Sequence, residues 1–173
     1  MNLESEILKE HSKRQAVKIG TWVGGNRSRF RELMECFLNG EYRVTQRSAW
    51  MLSYCADQHP ELIMPWIPAM VKKMKEPGVH DAVKRNVLRV LSTVEIPSPI
   101  LGSVISVCFD ELSSADSPVA VRVHAMSVLA NASKGEPDIK RELKATIEQM
   151  LPYGGPALRA RARMVLKQIS REG

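Results

Sequence analysis

Aromatic residues are scarce in this chain, at 5% of 173 positions. That scarcity argues against a sheet-based core, which draws on aromatic and β-branched side chains. Cysteine is scarcer still. Cys36, Cys55 and Cys108 are odd in number, far apart and without a CxxC pair, so they exclude a disulfide framework and a zinc ribbon. The four histidines, His11, His59, His80 and His124, include no pair at helical i, i+4 spacing, and no metal site is expected. Neither G-x-S-x-G, a Walker loop nor G-x-G-x-x-G occurs, and the carboxylates are spread singly, so no catalytic residue and no cofactor are expected. The polar start, Met1 to Glu6, lacks the apolar stretch of a signal peptide. No stretch approaches the ~20 apolar residues of a membrane helix. The expectation is a cytoplasmic, soluble protein with no membrane partner.

What the chain does contain favours helices. Apolar residues make up 44% and charged residues 25%, with Leu, Val, Ala, Met and Ile plentiful. The length fits one domain over residues 1–173, and no composition shift marks a boundary.

Four segments share one phase. They are Val44 to Leu52, Val83 to Leu91, Val121 to Leu129 and Leu158 to Leu166, and their closing leucines step by 39, 38 and 37 residues. In each, apolar or small residues sit at positions 1, 5, 8 and 9, on one face of a helix. A second apolar-periodic run precedes each segment: Phe30 to Leu38, Ile63 to Met74, Ile100 to Leu112 and Ile139 to Leu151. Breakers rich in Gly, Pro and Asn separate the members of each pair, as in Asn39-Gly40-Glu41 and Glu76-Pro77-Gly78. Pro65 and Pro68 predict an irregular helix start near Pro65. The pattern predicts a helix from about Leu3 to Ile19, a break at Gly24-Gly25, and helix pairs at about 27–57, 60–94, 98–133 and 137–171. Helix pairs at a fixed period predict an all-α fold, an α-α superhelix in which each pair buries its apolar face on its neighbours.

The run from Asp116 to Leu129, with Val121-Arg122 followed by Ala125 and Val128-Leu129, resembles the second helix of a HEAT repeat and the turn before it. Leu158 to Leu166 and Val83 to Leu91 are similar; Val44 to Leu52 departs, with Thr45 where arginine is usual. The resemblance covers residues 27 to 171. It implies a short right-handed solenoid of about four pairs plus an N-terminal capping helix of about residues 1–20. It also implies a non-enzymatic scaffold or adaptor that holds a protein partner on the concave wall of second helices. Helical-repeat alkyl-base DNA glycosylases supply the alternative, a nucleic-acid-binding protein, although no Asp here maps into such a site. The oligomeric state is open.

Counting from the closing leucine as zero, positions −6, −2, +1 and +5 point away from the apolar face. Along the four second helices they include Trp50, Arg85, Arg89, Ser127, Met164 and Lys167, the expected partner-binding residues; Trp and Arg recur at binding hot spots. The alternative for Trp50 is packing against the N-terminal helix. The net charge is +6. Basic residues concentrate between Lys9 and Arg31 and again between Arg159 and Arg171, whereas residues 86 to 133 hold two basic and four acidic residues. Terminal repeats need a polar outer face, so this clustering predicts solvation rather than nucleic-acid binding.

Overall fold

A computed structural model describes residues 1–171, and every regular element among them is helical. Contacts divide the chain into two compact units, one from Met1 to Glu95 and one from Ile96 onward. The boundary falls on the breaker at Glu95 to Pro99, between the second and third pairs, where composition does not change.

The first unit holds α1 (Leu3–Lys9), α2 (Lys13–Val23), α3 (Arg27–Asn39), α4 (Tyr42–Gln58), α5 (Pro60–Ile63), a 3-10 turn (Met64–Trp66), α6 (Ile67–Met74) and α7 (Asp81–Leu91). The single N-terminal helix expected from the sequence is instead a helix pair. Glu10 is extended, and the Ser12 side chain accepts from the Gln15 N–H at 3.1 Å to start α2. Ser at an N-cap with Gln three residues on is a helix-start signature. The pair is also pinned from inside, because the buried Gln15 donates to the Glu6 carbonyl at 2.6 Å.

The prolines act as starters. Pro60, Pro65 and Pro68 each fall in the first turn of their own short element, where a missing N–H breaks no bond. The helical path therefore begins at Pro60, five residues before the start expected near Pro65. Gly40 follows the last residue of α3 at a crowded point: a Cβ there would stand 2.3 Å from the Cys36 carbonyl oxygen.

The second unit holds α8 (Ser98–Ser113), α9 (Val119–Ala132), α10 (Pro137–Met150), a 3-10 turn (Leu151–Tyr153) and α11 (Pro156–Arg171). Here α9 packs on α8, α10 and α11, and Val121, Ala125, Met126, Val128, Leu129 and Ala130 are all buried.

The second residue of the repeated segment has a structural use. Arg122 donates from Nε to the Leu112 carbonyl at 3.0 Å, and Arg159 donates to the Leu151 and Pro152 carbonyls at 3.2 and 3.0 Å. A guanidinium at a helix C-terminus satisfies orphan carbonyls and opposes the negative end of the helix dipole. Thr45, the residue that departs from the pattern, donates in the same way to the Gly40 carbonyl at 3.1 Å.

Candidate functional site

The outward rows of the second helices can be followed within each unit. In the first unit α4 and α7 lie in contact. Asp57 on α4 and Arg89 on α7 pair across them at 2.6 Å, both about two-fifths exposed. Arg85, one turn earlier on the same face as Arg89, is exposed. Trp50 is half-buried, its ring 5.6 Å from that of His11 in the α1–α2 turn, so the N-terminal pair covers part of it. The row therefore presents Trp50 partly, and Asp57, Arg85 and Arg89 as a mixed polar surface.

In the second unit α9 and α11 lie in contact. Ser127 is half-buried, and its hydroxyl donates to the Val123 carbonyl at 3.2 Å. Met164 is 62% exposed, an apolar side chain with no cover. Lys167 is exposed.

The +1 position differs from the other outward ones. Ser53 and Ala130 are buried, at 1% exposure each. Position −3 is buried too, at Ala49, Leu88 and Met126. The reason is lateral packing. A second helix between neighbours is covered on its flanks as well as on its apolar face, so the outward row narrows to −6, −2 and +5. Ser53 shows the contact directly: its hydroxyl lies 3.2 Å from Oδ1 of the buried Asn86 on α7. On α11 the same flank carries Arg163 and Lys167, both exposed. Lys167 thus belongs to a polar flank rather than to the row that holds Met164.

The N-terminal basic cluster separates into two groups. Lys9 and Lys18 both pair with Glu6, Lys18 at 2.8 Å, and Arg14 pairs with Glu10 at 2.7 Å. Glu6 lies just before the cluster in sequence, so a count started at Lys9 misses the carboxylate that offsets two of its cations. Lys18, then Lys9, holds the Glu6 carboxyl down at about 2. Arg29 lies 5.0 Å from the Trp22 ring centroid and donates to the Trp22 carbonyl at 2.7 Å. Arg27 and Arg31 have no ion pair among the described residues and line a groove of about 350 Å³ with Phe30, Glu61, Leu62, Pro65 and Trp66. Periodicity could not single these two out, because pairing depends on distances between helices.

The thiols are poor nucleophiles. Burial pushes both Cys55 and Cys108 up to about 12, and burial followed by the nearby Glu4 raises Cys36. Among the described residues no cluster of His, Cys, Asp or Glu could hold a metal ion, and no helix is long and apolar enough to cross a membrane.

A family model described as a HEAT repeat domain matches residues 3–169, which takes in the α1–α2 pair. No curated protein and no solved structure matches the chain.

Proposed function

Since the chain belongs to the HEAT-repeat family, whose repeats generally mediate protein interactions, we propose that it is a non-enzymatic scaffold that holds a protein partner on the outward rows of its second helices. These rows correspond to the concave wall in that family. The observation that carries the reading is the pair of adjoining rows on α4 and α7, with Arg85 exposed beside the Arg89–Asp57 pair and Trp50 partly open. An exposed guanidinium beside an ion pair suits a polar protein surface with an acidic anchor, and a partly open tryptophan elsewhere on the row suits an apolar one. Met164 supplies a comparable apolar contact in the second unit. The proposed setting is the cytoplasm, where three free thiols remain reduced.

Arg85 is a cleaner probe of this surface than Arg89. Replacing Arg89 by Glu would also set two carboxylates face to face at Asp57, whereas Arg85 has no ion pair among the described residues. Affinity capture from the source cells, with the retained proteins identified by mass spectrometry, tests the reading. A protein retained by the native chain and lost with Arg85→Glu supports it, provided the two melting curves coincide. Retention unchanged by both Arg85→Glu and Met164→Ala contradicts it.

A further inference from the structure

The groove beside α3 is built from first helices, away from the second-helix rows, and has its own chemistry. Arg27 and Arg31 stand one turn apart on the same face of α3, so their side chains emerge roughly 6 Å from each other. Both are exposed. Most other cations near this end of the chain are already engaged, by Glu6, by Glu10 or by the Trp22 ring. The floor is apolar: Phe30 and Leu62 are buried, and Trp66 is half-buried. The groove's own carboxylate, Glu61, sits 3.2 Å from His59 and has no ion pair with either arginine. The volume of about 350 Å³ has room for one or two side chains.

We propose that this groove docks an acidic peptide segment, which places an apolar side chain on Phe30, Leu62 and Trp66 and sets carboxylates on Arg27 and Arg31. Guanidinium groups bind carboxylates bidentately, and the pair of them fixes the direction of the segment. The Asn26-capped start of α3, whose Ser28 and Arg29 N–H groups are already satisfied at 3.0 Å, adds a weak positive field at the same end. A single-stranded nucleic acid fits less well. Its phosphates are continuous and would meet Glu61, and a half-buried Trp66 offers little face for stacking.

The test is an NMR titration of the isotope-labelled full chain with a short synthetic peptide that alternates glutamate and leucine. A lysine–leucine counterpart and oligothymidylate serve as comparison ligands. The expected result is a shift of the Trp66 indole and of the first-turn amides of α3 with the acidic peptide alone. Affinity should fall about tenfold in the Arg27→Gln, Arg31→Gln variant and should weaken as salt rises. Arg85→Glu should leave this binding unchanged, which keeps it distinguishable from the second-helix surface. Should the glutamine variant melt early, the salt series on the native chain reads the same charges. The proposal is overturned by no shift at millimolar peptide, by equal binding of the lysine peptide, by salt-independent affinity, or by tighter binding of oligothymidylate at these residues.

Discussion

Leu129 has no exposed surface, whereas Leu166, the equivalent residue of α11, is half-buried at the edge of a groove formed with α10. The two leucines hold the same place in the repeat and differ in how much surrounds them. Leu129→Ala removes packing on all sides and should cost roughly 2–5 kcal/mol; Leu166→Ala should cost clearly less, because solvent can fill the space left behind. Urea melts of the two variants check this, and equal losses would contradict the flank packing described for α9. Glu6 gives a second residue-level expectation. Its carboxyl is held at about 2 against an ordinary 4.5, by Lys18 first and Lys9 second. A depressed carboxyl contributes stability above its ordinary value, and that contribution disappears as pH falls towards the folded value. The native chain should therefore lose stability between about pH 4.5 and 2 more steeply than Glu6→Gln does. Parallel acid limbs in the two melts would remove the Glu6 cluster as the cause.

Helix starts follow side-chain chemistry at specific positions. His80 caps α7: its Nδ1 accepts from the Ala82 N–H at 2.9 Å, and its ring meets the edge of Tyr42 at 5.7 Å. His80→Ala should lower stability by about 1 kcal/mol, and His80→Asp should restore most of it, because Asp caps by the same geometry. Thermal melts of both variants decide whether the cap or the Tyr42 contact dominates. The four phased segments were legible because their apolar residues recur at positions 1, 5, 8 and 9. The N-terminal pair was not, for a physical reason. Its second helix, α2, buries Gln15 and Gly20 beside Ala16, Ile19 and Val23. Gly20 is needed there, because a Cβ would lie 2.2 Å from the Tyr54 ring on α4. A polar residue and a glycine erase the apolar phase while serving the same contact. Ser12 and Gln15 were the local signal that remained.

For the molecule as a whole, net charge misleads about partners. The chain carries +6, yet Lys9, Arg14 and Lys18 pair with carboxylates, and Arg122 and Arg159 hold helix carbonyls. With these cations engaged, and with open ones such as Arg27 and Arg31 on α3 and Arg85 on α7 set apart on different helices, the chain should not bind duplex DNA tightly at physiological salt. Fluorescence anisotropy with a labelled duplex would contradict this if it found sub-micromolar affinity with a steep salt slope. The outward rows were also partly legible: the helical wheel found Arg85, Arg89 and Met164, but it could not foresee that +1 would be buried by lateral neighbours at Ser53 and Ala130. Wheels describe one helix, and burial on the flanks depends on the next.

The most direct test of the proposed interaction surface is site-specific photo-crosslinking in the source cells. A photoreactive residue is placed in turn at Arg85, at Met164 and, on the exposed side of a first helix, at Glu142. A discrete adduct with a protein is expected from positions 85 and 164 and none from 142. An adduct from 142 alone, or none from 85 and 164, would contradict it.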